Sequence, residues 1–394
     1  MLPNWSLRYR NLAFQVNSLR AWETWFCIGM RTAEKFCLFP VEWEDCTRSV
    51  KYGTNRVKNA IWYCALAYLM MDTGYQMVNI FTLNYHTTPV DDIIKLLLHG
   101  LTRLAACGLI YGFLENYESS MRLFNQICRI HRKLKGVYHG DRHFVIQDGI
   151  LICLALGSLT IHFQPLGPPI QYLQERQSIR YWGSRLLPPS FYNSLFGIIL
   201  FAFAELYISY IADFGAGYAA TLLVVYTQTT RYWLAVLLNN STNSLTRPWL
   251  NTKNLCLYRT LHVLNCVQNE TCSEILWPVA QQVLATIHTL TNVLAIKCFH
   301  KLQMPVPILL LMSTCAFASF EKTAVKGAAD VYEVSDKFRQ GICRQASRRG
   351  RTIGRSIRCL RIQVGAAYYF KMSTFNTFMR TVVELTINVM LTLF

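Results

Sequence analysis

The sequence predicts an all-α, polytopic membrane protein with seven transmembrane helices, the N-terminus inside and the C-terminus outside. Three observations carry that reading. Of 394 residues, 52% are hydrophobic and 15% are charged, a low charged fraction for a soluble chain. The apolar residues gather into windows of about twenty, the length a helix needs to cross a hydrocarbon core. The basic residues, which bring the formal net charge to +17, are shared unevenly among the segments between those windows. A single window would read as well as a buried core helix; six or more in one chain do not.

Residues 1–58 mix Arg, Trp, Glu and Pro and carry nine Lys and Arg, with no apolar core leading to a small-residue cleavage site. The windows then run roughly Ile61–Leu83, Ile93–Leu114, Phe144–Phe163, Phe191–Ile211, Ile275–Cys298, Val306–Phe320 and Ser373–Phe394. The fifth is the weakest, because Pro278, Gln281, Gln282 and His288 interrupt it, and the sixth runs on into the helix that follows.

Charge orients these spans, since short cytoplasmic loops retain Lys and Arg. The first loop, TLNYHTTPVDD, has neither; the second, Glu115 to Arg142, has six; the third, Pro165 to Ser190, has three. The loop around FHKLQMP has one, and 337–361 has nine with no acid. An inside N-terminus with seven spans puts the richest segments inside. An eighth apolar run, Tyr218–Leu238, would reverse everything after it if it crossed, so it is read as the fourth helix continuing into the cytoplasm. The organisation that follows is a cytoplasmic segment 1–58, transmembrane helices one to four in 59–212, a cytoplasmic helical extension 213–274, helices five and six in 275–320, a basic cytoplasmic segment and lead-in 321–372, and a seventh helix 373–394. The sequons at Asn4, Asn239, Asn240 and Asn269 all fall on the inner side, where no glycan is added.

No P-loop, GxGxxG, HExxH or GxSxG pattern is present, and the 14 Cys form no CxxC pair. No cofactor, metal or disulfide is therefore expected. Nucleic-acid binding would need a soluble basic domain, and none is discernible; the 337–361 run suits anionic lipid headgroups. HGDRH at 139–143 is the one local cluster of the kind an enzyme would use. A G-protein-coupled receptor is disfavoured by the inverted orientation, by GDRH preceding the third span, and by the absence of NPxxY from the seventh.

The seventh span ends in TINVMLTLF, Thr386 to Phe394. Upstream lies IQVGAAYYFKMSTFNTFM, in which a Gly and an aromatic pair precede the helix. The long fourth helix, with Asp213 near its middle, and the segment from Leu257 through Cys298 add to the pattern. These features resemble the insect-type chemoreceptor superfamily of gustatory and odorant receptors. In the gustatory branch the seventh span reads TYhhhhhQF, where h is hydrophobic: Thr386 and Phe394 match, while Ile387 replaces Tyr and Leu393 replaces Gln. The resemblance is that of a divergent member.

What it implies is a chemosensory, ligand-gated, nonselective cation channel in the plasma membrane. Four subunits, identical or mixed, would surround one pore lined by the seventh helices. Helical spacing places Thr386, Met390 and Leu393 near one stripe, with Val389 and Phe394 beside it, and apolar rings close pores by excluding water. The resemblance also implies a small organic ligand bound among the outer halves of the spans, where His162, Phe203, Glu205 and Tyr207 are the candidates. Packing against neighbouring helices is the alternative for every one of these residues. Ionisable groups inside spans are costly and often functional; Asp72, Arg103, Asp148, Glu205, Arg380 and Glu384 qualify. Arg380 and Glu384 are one turn apart and can pair, whereas Arg103 and Asp148 are placed near the membrane edges. The rival function is a polytopic transporter or membrane enzyme of unknown substrate, although no internal repeat of the kind transporters show is visible.

Overall fold

The computed structural model describes residues 29–44, 49–84, 88–138, 164–242, 252–297, 306–344 and 348–393. The third window, Phe144–Phe163, and the HGDRH cluster lie outside them. Within the described residues the chain is helical apart from two small hairpins.

The first hairpin pairs β1 (Val41–Glu44) with β2 (Ser49–Tyr52) antiparallel, Val41 opposite Tyr52 and Glu44 opposite Ser49. Alternation along each strand turns Val41 and Val50 inward. An all-α expectation did not include it. The helix α1 (Arg56–Thr82) begins at Asn55, whose side-chain oxygen accepts from the N–H groups of Val57 and Lys58 at 3.0 and 3.2 Å. That satisfies two donors a helix start otherwise leaves open. Pro89 caps α2 (Val90–Glu115), and after the single residue Asn116 the chain enters α3 (Tyr117–Tyr138). The basic second loop is thus a helix.

Two prolines in the first turn of α4 (Gly167–Gln174) suit a position that needs no N–H. The short helices α5 (Gly183–Leu186) and α6 (Pro189–Tyr192) lead to α7 (Leu195–Thr242). With 48 residues, α7 joins the fourth window and the run after it into one unbroken helix, over twice what a hydrocarbon core takes. Then come α8 (Thr252–Cys272), α9 (Leu276–Lys297), α10 (Val306–Cys343) and α11 (Arg348–Ser356). The second hairpin, β3 (Gln363–Val364) with β4 (Tyr368–Tyr369), turns through Gly365 at φ +58°, a left-handed backbone that glycine adopts without a Cβ penalty. The last element is α12 (Met372–Leu393). Among the described residues three helices are long and apolar enough to cross a membrane: Lys95–Glu115, Leu195–Leu238 and Leu276–Lys297.

The chain divides into two compact units, one of residues 1–71 with 128–217 and the other of 72–127 with 218–394. In the first, the fully buried Trp62 donates its indole N–H to the Leu38 carbonyl at 3.0 Å and meets the Phe39 ring edge-on. A second cluster gathers Tyr172, Tyr181, Tyr192 and Phe201.

In the second unit α9 is central and packs against α2, α10 and α12. Gly108 and Gly112 on α2 permit that approach. A Cβ at Gly112 would lie 2.9 Å from Ile275, and one at Gly108 would lie 3.1 Å from Val279. The Gly-x-x-x-Gly spacing is a known device for bringing helices close in a membrane. Gly112→Val is expected to destabilise the protein by about 1–3 kcal/mol through overpacking. A lower midpoint of thermal unfolding in detergent is the readout, and an unchanged midpoint would contradict this close crossing. Farther along, Tyr226 donates to Asn265 at 2.9 Å, Arg231 pairs with Asp330 at 3.0 Å, and Tyr258 stacks on Phe338. Asn265 and Asn269 both donate to the Arg361 carbonyl, at 3.0 and 2.8 Å. The end of the basic 337–361 run is thereby built into this helical unit.

Candidate functional site

The terminal helix α12 starts where the Thr374 hydroxyl accepts from the Lys371 N–H at 3.0 Å. Its apolar residues Phe378 and Val382 stand one turn apart and pack against Ala285 and Leu284 of α9. Thr386, the next residue on that stripe, is buried, and its hydroxyl donates to the Val382 carbonyl at 2.7 Å. With its one polar group satisfied by its own backbone, Thr386 packs there as a small apolar side chain. Thr386 thus faces the chain's own core, and Val389 and Met390 are half-buried beside it. Leu393 is the last helical residue; its side chain and all of Phe394 lie outside the described residues.

The opposite face of α12 is open. Ser373, Thr377, Arg380, Glu384, Asn388 and Leu391 are all exposed, and steps of three and four residues place them on one side of the helix. Arg380 donates from Nε to Glu384 Oε1 at 2.7 Å, with the two side chains 79% and 55% exposed. Leu391, 79% exposed, is the apolar member at the far end of this face. The pairing anticipated from the sequence is present, on an exposed side that also carries Val383, Ile387 and Leu391.

Of the residues expected around a ligand, Phe203 and Tyr207 stand together and Glu205 lies on the other side of their helix. Phe203 is exposed and stacks on Tyr207 one turn later, with centroids 6.3 Å apart and rings 5° from parallel. The Tyr207 hydroxyl donates to the Cys37 carbonyl at 3.1 Å, so it ties α7 to the segment before β1. Glu205, two residues from each, points to the other side of the helix and is buried. His162 lies outside the described residues.

On Glu205's side of the first unit lies the aromatic cluster, where the buried Arg180 stacks on the Tyr181 ring at 4.4 Å and donates to Gln171 at 2.8 Å. Burial raises the Tyr172 hydroxyl pKa above the ordinary phenol range, and the charge of Glu205 works in the same direction. An Arg in a Tyr-rich segment next to a carboxylate within the following span was the sequence signal for this cluster.

Two further pairs of ionisable side chains are buried in the second unit. Asp72 of α1 accepts from Arg103 of α2 and from Gln76, the latter at 2.6 Å. Arg103 is only 4% exposed: the carboxylate one helix away holds it inside. His288 of α9 meets Glu321 of α10 at 2.8 Å between Nδ1 and Oε2. The signal for both was opposite or hydrogen-bonding polar groups in neighbouring apolar windows, where each is too costly to leave alone.

No protein-family model matches the chain, and no curated protein does. Solved structures do. The insect olfactory receptor OR5 from Machilis hrabei, in complex with eugenol, superposes with a TM-score of 0.64 at 10% identity, covering 94% of this chain and 98% of that one. A second structure of that receptor gives a TM-score of 0.56 at 8% identity over the same shares. Identity this low speaks to architecture. The likeness extends over nearly the whole chain, and the chain has the fold of an insect olfactory receptor.

Proposed function

We propose that the protein is a chemosensory receptor subunit that forms a ligand-gated, nonselective cation channel in the plasma membrane. The observation that carries the reading is the fold, shared over nearly the whole chain with an olfactory receptor described in complex with eugenol. The open face of α12 supports it, because the charged and polar groups along its exposed side suit the wall of a water-filled path. In this reading four chains assemble around the α12 helices, and a small organic molecule binding in the outer half of the spans opens the pore. Residues 1–58, 213–274 and 321–372 lie inside the cell and α12 ends outside.

Whole-cell current in cells expressing the chain, alone and with a candidate co-subunit, tests this directly. Eugenol and other small aromatic odorants are the first probes. The expected result is a current carried by Na⁺ and K⁺ alike, with a C-terminal tag stained on intact cells and an N-terminal tag stained only after permeabilisation. Surface staining of the N-terminal tag would overturn the topology, and a surface protein silent in every combination would overturn the channel.

A further inference from the structure

We propose that Arg361, Tyr369 and Lys371, gathered where the second hairpin meets α12, bind the phosphate of an anionic phospholipid headgroup in the inner leaflet. The inference rests on the reading that places residues 321–372 inside the cell, and it adds a lipid ligand and the residues that hold it.

The hairpin and the start of α12 bring two cations to one aromatic ring. The Arg361 guanidinium lies 4.6 Å from the centre of the Tyr369 ring and 5.7 Å from that of Tyr332 on α10. The Lys371 ammonium lies 4.6 Å from the Tyr369 ring centre as well. Both cationic residues are exposed, and neither pairs with a carboxylate among the described residues. Two acids on the same stretch of α10 are committed elsewhere: Asp330 pairs with Arg231 at 3.0 Å and Asp336 with Arg339 at 2.7 Å. Glu333 is turned about 100° from Tyr332 around the helix. The backbone fixes both cations without help from an anion, since the Arg361 carbonyl accepts from Asn265 and Asn269 and the Lys371 N–H donates to Thr374. Burial works to raise the Tyr369 pKa, but hydrogen bonds from Lys371 and Tyr332 and the charges of Arg361 and Lys371 outweigh it and hold the phenol below its ordinary range. Surroundings that favour a phenolate also favour a phosphate oxygen.

Depth identifies the source of that phosphate. α12 has 22 residues, about 33 Å at 1.5 Å per residue, close to a hydrocarbon core of about 30 Å. Lys371, directly before it, therefore sits at the inner headgroup layer, and Arg361 sits there with it. The exposed Tyr368, whose hydroxyl donates to Gln281 of α9, suits the same layer, where amphipathic rings gather. The rest of the basic run is too deep. α10 has 38 residues, about 57 Å, so it carries the exposed Arg348, Arg351 and Arg355 of α11 roughly 25 Å past the core. Charge is screened over about 8 Å at physiological ionic strength. The lipid contact expected of the whole 337–361 run thus narrows to its last residue. There, the planar Arg361 fork suits two phosphate oxygens and Lys371 adds a point charge. Two cations match a phosphomonoester of about −1.5 to −2, the group that polyphosphoinositide headgroups present to basic pockets on the cytoplasmic side.

The test uses the full chain in lipid discs of phosphatidylcholine, with and without a few per cent of phosphatidylinositol bisphosphate, and reads the midpoint of thermal unfolding. The added lipid should raise the wild-type midpoint by several degrees. Arg361→Gln combined with Lys371→Gln should abolish the rise and leave the midpoint in phosphatidylcholine alone nearly unchanged, because both side chains are exposed. Lys371→Arg should keep it. An undiminished rise in the double variant overturns the site. If that variant folds poorly in phosphatidylcholine, Lys371→Glu decides: loss of the rise supports the site and a full rise overturns it. Inorganic phosphate and soluble inositol trisphosphate, each at the same total concentration as the lipid, should give a smaller rise; an equal one overturns the lipid in favour of a free phosphate. Discs open both faces of the bilayer, so binding is read whichever side the hairpin occupies. Its side is tested separately. Ala367→Cys, exposed in the hairpin turn, should gain labelling by a membrane-impermeant thiol reagent only after cells are permeabilised. A gain on intact cells overturns the inner-leaflet placement and leaves the binding result standing.

Discussion

Arg103→Met should remove most of the folded protein from the cell surface, and Asp72→Leu in the same chain should bring much of it back. The Arg103 guanidinium and the Asp72 carboxylate are 4% and 1% exposed. Each has been taken out of water, and their mutual attraction offsets that loss. Taking away one member leaves the other charge in a medium that cannot solvate it, at a cost of about 3–5 kcal/mol. Native proteins hold only about 5–15 kcal/mol in total, so the single substitution consumes a large part of the margin. Gln76, which donates to the same carboxylate oxygen at 2.6 Å, softens the loss without supplying a charge. Replacing both charges by apolar side chains of similar size is often neutral or favourable. Surface biotinylation and thermal aggregation in detergent provide the two readouts. A double variant as poorly folded as Arg103→Met would show that the guanidinium stabilises the protein through contacts other than this one.

The same pair shows how far the residues could be read without coordinates. Six of the seven apolar windows are covered by described helices, because a run of about twenty apolar residues has few other ways to satisfy its backbone. The continuation of the fourth helix was legible from loop charges, and α7 runs unbroken through Thr230 and Arg231. Partnership between windows was not legible. Asp72 and Arg103 are far apart in the chain, and nothing local says that one faces the other.

The phase of α12 was hidden for another reason. Thr, Asn, Arg and Glu are scattered around it, so spacing alone admits several stripes. Contacts with Ala285 and Leu284 choose between them, and those come from a helix some ninety residues earlier. The hairpin at Val41–Tyr52 was missed where two four-residue strands are too short for their alternation to stand out. Gly108 and Gly112 were not singled out in the sequence; their close approach to Val279 and Ile275 is what gives their spacing meaning.

The phase of α12 leads to the second large effect. Leu391→Asn should leave the proposed channel leaking without ligand. Leu391 shares the open face with Glu384 and Asn388 and, at 79% exposed, is the most exposed of the large apolar residues there, ahead of Val383 and Ile387. A ring of such side chains excludes water and so stops ions without blocking the path physically. A fully buried Leu side chain contributes about 1.5–3 kcal/mol, and about 1.4 kcal/mol is a factor of ten in an equilibrium. Losing even one chain's share of an apolar closure should therefore shift the closed–open balance roughly tenfold, and a symmetric ring loses it in every chain. Basal current per surface receptor is the measurement. Leu393→Gln provides the contrast, since two residues along a helix is a rotation of about 200° at 3.6 residues per turn. If the open face lines the pore, Leu391→Asn leaks and Leu393→Gln does not. Leakage from Leu393→Gln alone would mean that α12 turns its other side to the axis, and Thr386 would then have to leave its place against α9 when chains assemble.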